Sequence, residues 1–308
     1  MIANDAITTS PNPAATEQHL SIPMIRSRKI RNGTMPLVML TAYDAPTARL
    51  AAEAGIDMLL VGDSVGTAVL GYDSTVPVTL DDIIHHAKAV RRGAPKAHIV
   101  ADLPFMTYQV SDEQAVTNAG RLLQEAGVNA VKLEAGHTLA SRVRAIARAG
   151  IPVVGHVGLT PQTADALGGM RLQGKDVAGA LDVLEDARAI AEAGAYALVI
   201  EVVPAELGRI ITEELAIPTI GIGAGPDCDG QVLVWTDLAG LTAKAADEAF
   251  PPRFVQQYLQ LNELLAEAFS TFAQDVRSRA YPRPEQTYPM KAAIATELRQ
   301  KLAPGRDE

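Results

Sequence analysis

The sequence predicts an α/β protein, a closed (β/α)8 TIM barrel, and three observations point there. Eight apolar runs of strand length recur along the chain, continuous rather than alternating, as strands covered on both faces are. Helical patterns separate them, and eight parallel strands alternating with helices form either a barrel or a doubly wound sheet. No Gly-x-Gly-x-x-Gly follows the first run, so the dinucleotide-binding open sheet loses its main support.

Residues 1–22 are small and polar with prolines (TTSPNPAAT) and read as a disordered leader. Ile25 to Gly33 reads as a short basic helix or turn. The runs then follow: PLVMLTAYD ending at Asp44, DMLLVGDS at Ser64, AHIVADLP at Pro104 and NAVKLEAG at Gly136. PVVGHVGL ends at Leu159, YALVIEVV at Val203, PTIGIGAG at Gly225 and QVLVWTD at Asp237. Ser111-Asp112-Glu113-Gln114 reads as a capping box opening a helix. Ala-Gly pairs at Gly55, Gly127, Gly150 and Gly194 sit where left-handed helix caps are needed. Val65 to Val78 reads as a long polar loop of the kind that serves as an active-site lid. Phe254 to Arg279 reads as an amphipathic C-terminal helix. The catalytic barrel is thus expected over 23–280, with a polar tail over 281–308 that has room for one more helix.

Composition bounds the function. A single barrel accommodates 308 residues, and 48% hydrophobic with 20% charged residues is globular rather than disordered. A net charge of −9 argues against nucleic acid or an anionic membrane as partner. One cysteine, Cys228, excludes an internal disulfide framework and a cysteine-based zinc site, and fits a cytoplasmic setting. The first twenty residues have neither a basic start followed by an apolar run nor an arginine, unlike secretory or mitochondrial leaders. No apolar run is long enough to span a bilayer.

The chemistry is expected at the C-terminal strand ends, where barrels build their active sites. Those ends carry Asp63, Asp102, Lys132 with Glu134, His156 and Glu201, each in or just after an apolar run. Two carboxylates ~5 Å apart repel by roughly 3 kcal/mol at an effective dielectric near 20. One lysine does not neutralise four of them, whereas a divalent cation does, and oxygen ligands select Mg²⁺ or Mn²⁺ over Zn²⁺. Taken singly, a strand-end Asp such as Asp63 or Asp102 is more often a helix or loop cap than a metal ligand, and Lys132 and Glu134 read as a pair on one strand face. His156 is either a satisfied core histidine or a substrate contact. Asp44 either caps the following helix or touches a ligand. His85 and His86 read as surface. The glycines at 221–225 suit either a ligand approaching the backbone or close strand–helix packing.

The blocks TAYD (41–44), VGDSVG (61–66), GYDSTVPVT (71–79), RRGAP (91–95) and ADLPFMTY (101–108) resemble the ketopantoate hydroxymethyltransferase family. So do VKLEAG (131–136), GHVGLTPQ (155–162), LVIEVVP (198–204), IPTIGIGAG (217–225) and DGQVLVWTD (229–237). The resemblance implies a barrel of the phosphoenolpyruvate-binding type. It implies transfer of a one-carbon unit from 5,10-methylenetetrahydrofolate to 3-methyl-2-oxobutanoate through a metal-stabilised enolate, giving 2-dehydropantoate for pantothenate biosynthesis. By the same resemblance, Asp63 and Asp102 would hold Mg²⁺, with Glu134 near it directly or through water. Ser64 and Lys132 would bind the keto acid, Glu201 would be the catalytic base, and the assembly would be a homodecamer. After the eighth strand the sequence reads LAGLTAKAADEAFPPRF, where the family pattern has a Gly-rich stretch ahead of Pro-Lys-Phe.

Two other readings compete. One is a Mg²⁺-dependent C–C or C–P lyase of the isocitrate lyase or phosphoenolpyruvate mutase type. The lyase branch carries Lys-Lys-Cys-Gly-His, and Cys228 in GPDCDGQ does not supply it. The other is a catalytically inactive metabolite-binding barrel, against which all four carboxylates stand.

Overall fold

All eight runs are strands, joined in chain order as a single closed parallel barrel. They are β1 (Leu37–Thr41), β2 (Met58–Val61), β3 (His98–Asp102), β4 (Ala130–Glu134), β5 (Val153–Gly158), β6 (Ala197–Glu201), β7 (Thr219–Ile222) and β8 (Gly230–Leu233). Closure comes where β8 lies beside β1, with Gly230 opposite Leu37. The computed structural model describes residues 20–242 and 252–302. Two units divide the chain, one ending at Leu259 and the other starting at Gln260.

In the barrel unit the helices are α1 (Ile22–Arg26), α2 (Ala45–Glu53), α3 (Leu80–Gly93), α4 (Asp112–Ala126), α5 (Ala140–Arg148), α6 (Val177–Ala193), α7 (Ala205–Glu214) and α8 (Trp235–Leu238). The second unit holds α9 (Leu261–Ser278) and α10 (Ala292–Leu302). The amphipathic helix expected from Phe254 therefore starts seven residues later and lies outside the barrel unit.

Strand faces sort the core. Residues such as Leu59, Val61, Ile99, Val131, Leu133, Leu198 and Ile200 pack outward against α2 to α7 as one large cluster. Met39, Met58, Leu60, Val100, Ala130, Val154, Ala197, Val199, Ile220 and Val232 form the barrel interior. Side chains alternate across a strand, so the inward series continues from Val100 to Asp102 and from Ala130 to Lys132 to Glu134. It likewise runs from Val154 to His156 and from Val199 to Glu201. These four inward rows, on β3 to β6, thus turn from apolar to ionisable at their C-terminal ends.

The opposite end is closed by the N-terminal segment. The leader expected over 1–22 lies outside the described residues as far as residue 19. Leu20 departs from that expectation. Its side chain is buried with the interior cluster, and its carbonyl lies 3.0 Å from His98 Nδ1. Lys29 is buried as well, donating to Asp229 Oδ2 (2.6 Å), Thr212 O (2.8 Å) and Ile217 O (3.2 Å).

Local expectations divide. The four predicted glycine caps all have positive φ. Ser111 caps α4 through Gln114 N, but the Gln114 side chain accepts from Val110 N, so the box does not close on Ser111. A reciprocal box instead opens α3, between Thr79 and Asp82. The Val65–Val78 connection is not structureless: Gly66–Leu70 forms a π-helix between buried Val65 and Val78. Most of the divergent segment after β8 lies outside the described residues. Among the described residues, no helix is long and apolar enough to cross a membrane.

Candidate active site at the C-terminal rim

The predicted rim residues meet. In the strand register Asp102 is opposite Lys132, Glu134 opposite His156, and Gly158 opposite Glu201. Lys132 Nζ lies 3.1 Å from Asp102 Oδ1 and 3.4 Å from His156 Nδ1. His156 Nε2 lies 3.1 Å from Glu201 Oε2. Asp102 Oδ2 accepts from the Asp63 backbone N–H at 3.0 Å. This approach needs Gly62, because a Cβ there would stand 2.8 Å from Ser64 Oγ and 3.4 Å from Asp102 Oδ2.

Asp63, Asp102, Lys132, Glu134 and His156 are all buried. Glu201 is the most open of the four carboxylates, its side chain 14% exposed. Ile200 packs outward with the helix-facing cluster, leaving Glu201 on the cleft side of β6. Ser64 Oγ is turned to the Tyr43 hydroxyl at 2.7 Å. Val202, the residue after Glu201, has φ +47°. For a β-branched residue that is a strained backbone, held beside the most open carboxylate.

Burial and the neighbouring Asp102 charge push the Asp63 carboxyl up to about 7, against the pull of Lys132 and Gln162. Burial also lifts Glu134 well above the carboxylate range, reinforced by Asp63. For Lys132 burial acts downward, but Asp102, Asp63 and Glu134 outweigh it and keep the ammonium charged. His156 is lowered by burial and by Lys132, hence neutral. Lys132 can only donate, so Nδ1 accepts and the imidazole proton sits on Nε2, facing Glu201. The His156–Glu201 approach is therefore a polar contact rather than an ion pair.

This donor set fits a hard divalent cation. Asp102 Oδ1 is buried and accepts no properly aligned hydrogen bond, although Lys132 stands near it. Four carboxylates face one lysine, and every candidate ligand atom is oxygen. Among the described residues, no three Asp, Glu, His or Cys side chains form a ready-made metal cage. Mg²⁺ does not need one, since it is commonly held by one or two carboxylates with waters and substrate completing the shell.

One alternative left open by the sequence resolves. Asp44 caps α2, accepting from Thr47 N at 2.8 Å. His85 is exposed, as expected, but His86 is half-buried with Nδ1 2.7 Å from the Tyr43 carbonyl. Sequence reasoning passed over Gln162, Tyr108 and Tyr43. Gln162 donates its side-chain amide to Asp63 Oδ2 at 2.8 Å and its backbone N–H to Glu134 Oε2 at 3.0 Å. Both Gln162 and Tyr108 end quoted blocks, GHVGLTPQ and ADLPFMTY. Nothing in their spacing distinguishes a buried amide or phenol from a surface one.

The family model described as ketopantoate hydroxymethyltransferase matches residues 20–284. The 3-methyl-2-oxobutanoate hydroxymethyltransferase of Geobacillus kaustophilus (strain HTA426) is 52% identical over 256 residues, covering 83% of this chain and 90% of that protein. The enzyme of the same name from Moorella thermoacetica is 52% identical over 274 residues, covering 89% and 99%. By fold, the chain is similar to phosphoenolpyruvate phosphomutase from Streptomyces platensis subsp. rosaceus (TM-score 0.58, 16% identity, 92% and 96% covered). It is similar also to phosphonopyruvate hydrolase in complex with oxalate and Mg²⁺ (TM-score 0.56, 13% identity, 91% and 95% covered).

Proposed function

The chain belongs to the ketopantoate hydroxymethyltransferase family, and from that premise we propose how its rim transfers a hydroxymethyl group to 3-methyl-2-oxobutanoate. The observation carrying the site assignment is the charge imbalance: Asp63, Asp102, Glu134 and Glu201 around Lys132 alone, with Asp102 Oδ1 accepting no aligned hydrogen bond from it.

Asp63 and Asp102 would hold Mg²⁺, with Glu134 near it directly or through water. The oxalate and Mg²⁺ in the phosphonopyruvate hydrolase complex support a keto-acid-like ligand with a cation on this fold. When bound, the ion supplies a Lewis acid for the keto oxygen, where negative charge develops as the neighbouring C–H is broken. Lys132, held charged by its carboxylate neighbours, meets the substrate carboxylate together with Ser64. Neutral His156 lies against the keto acid, its Nε2–H turned to Glu201. Glu201, the most open carboxylate, takes the proton from C3 of the keto acid. Net, one water releases the one-carbon unit from both nitrogens of 5,10-methylenetetrahydrofolate at the formaldehyde level, and the carbanionic carbon bonds to it, giving 2-dehydropantoate and tetrahydrofolate. The enzyme works in the cytoplasm as a homodecamer, with small molecules rather than nucleic acid or membrane as partners.

NMR of 3-methyl-2-oxobutanoate with enzyme and Mg²⁺ in deuterated water tests the reading. Loss of the C3 proton signal is expected without folate, and a hydroxymethyl signal on adding methylenetetrahydrofolate. Retention of the C3 proton under both conditions would refute proton abstraction at this rim.

A further inference from the structure

We infer that Gln162 is a positioning residue for the carboxylate pair Asp63 and Glu134, aimed in turn by the Tyr108 hydroxyl. The inference rests on the proposed metal site and adds a residue to it.

Gln162 lies in the 3-10 turn Pro161–Thr163, in the connection after β5, and is 5% exposed. Both of its amide protons are used, one on Asp63 Oδ2 (2.8 Å) and one on the Leu103 carbonyl (3.0 Å). Its Oε1 accepts from Tyr108 Oη–H (2.8 Å) and Gln109 Nε2 (3.4 Å). Its backbone N–H holds Glu134 Oε2 at 3.0 Å. A side-chain amide has two donors and two acceptor positions, and here all four are occupied.

The amide has one workable orientation. Leu103 contributes a carbonyl, which only accepts, so the NH₂ must face it and therefore also faces Asp63. Reversal would set Oε1 against both oxygens. Tyr108 is buried, and its single proton lies between Gln162 Oε1 and the Glu134 carbonyl, both at 2.8 Å. The phenol thereby ties the amide to the main chain of β4. One residue thus bridges three strand ends: Asp63 after β2, Leu103 after β3 and Glu134 on β4. The NH₂ donor occupies Asp63 Oδ2 and leaves Oδ1 for a ligand. Partners of this kind commonly change metal affinity or activity by 10–100-fold when removed.

Gln162→Met keeps length and packing but removes every side-chain hydrogen bond. Direct Mn²⁺ titration of the full chain is expected to show at least ~10-fold weaker binding. Proton–deuteron exchange on the keto acid should fall at low Mg²⁺ and recover at high Mg²⁺, which a general loss of structure would not do. Tyr108→Phe, which retains the ring, should weaken Mn²⁺ binding in the same direction and by less. In the Gln162→Met background it should add nothing. Asp102→Asn serves as the reference. Weak binding in Asp102→Asn with wild-type binding in both Gln162→Met and Tyr108→Phe overturns the positioning role and leaves the metal site standing. Absence of Mn²⁺ binding by the wild type overturns both. Exchange that stays low at saturating Mg²⁺ in Gln162→Met and Tyr108→Phe also overturns it.

Discussion

Lys132 Nζ and Asp102 Oδ1 stand 3.1 Å apart across β4 and β3, both side chains more than nine-tenths buried. The pair leaves Asp63 and Glu134 without a cation of their own. Asp102→Asn removes one negative charge and the charged acceptor of the Asp63 N–H. Mn²⁺ titration of this variant should show affinity reduced at least ~10-fold, no less than the loss of an outer-shell partner costs. An unaltered titration curve would count against Asp102 as a ligand.

Glu201→Gln separates proton abstraction from metal binding. The side chain keeps its shape beside His156 Nε2 but has no basic oxygen. Exchange of the substrate C3 proton should drop by 10²-fold or more, the scale of general-base contributions. The Mn²⁺ titration should stay at the wild-type value. Undiminished exchange would transfer the base role to another group.

Asp63 makes the metal-free protein pH-sensitive. Its folded pKa of about 7 lies above the ordinary carboxylate value of 3.8. Folding therefore favours its protonated form. The stability this contributes is full below pH 3.8 and is lost as pH rises through 7. Glu134 is raised and acts in the same direction. His156 is lowered and acts oppositely, losing stability as pH falls through its range. The difference between wild type and Asp63→Asn, each stripped of metal and unfolded in urea from pH 4 to 8, should isolate the Asp63 contribution. Wild type should lose ground against the variant with rising pH, and Mg²⁺ should restore it. Parallel pH curves would show that Asp63 is not destabilised when ionised.

The strands were legible because burial on both faces writes itself as continuous apolar runs, and the rim because an ionisable residue interrupts such a run conspicuously. Asp63, Asp102, Lys132, Glu134, His156 and Glu201 all stand out in that way. Gln162 and Tyr108 do not, since they lie in connections where polar residues are ordinary, and their burial is decided by chain segments far apart in sequence. The same holds for Leu20, which seals the barrel floor only because His98 and the interior cluster receive it. The Ser111 box failed for a local reason: the Gln114 side chain reached Val110 N first.

Lys29 and Asp229 form a second buried pair, at the barrel end away from the rim. Besides Lys29, Asp229 accepts from Ile30 N (2.8 Å) and Thr219 N (2.9 Å). Lys29→Met leaves Asp229 buried without its cation. A loss of about 3–5 kcal/mol in urea unfolding is expected, the usual cost of removing one partner of a buried pair. The folded fraction should retain the wild-type KM for the keto acid. A change below ~1 kcal/mol would mean that the backbone donors alone satisfy Asp229.

Gly158 faces Glu201 across β5 and β6 and shows how backbone contacts hold the proposed base. Its φ is +93°, and an added Cβ would fall 2.3 Å from the Glu201 carbonyl oxygen and 3.0 Å from Val203 Cγ1. That carbonyl also accepts from Leu159 N at 2.8 Å, so the strand has little room to retreat. Gly33 supplies the comparison, with φ +73° and nothing within 4 Å of the same added atom. Gly33→Ala should therefore cost only the backbone preference, about 1–2 kcal/mol. Gly158→Ala adds a steric clash and should cost more than that in urea unfolding. Because the clash acts on the main chain of Glu201, C3-proton exchange should slow at saturating substrate, lowering kcat more than it raises KM. Gly33→Ala should leave exchange unchanged. Equal stability losses in the two variants, with exchange unaffected in both, would show that β6 yields at this point and that Glu201 is not held by the contact.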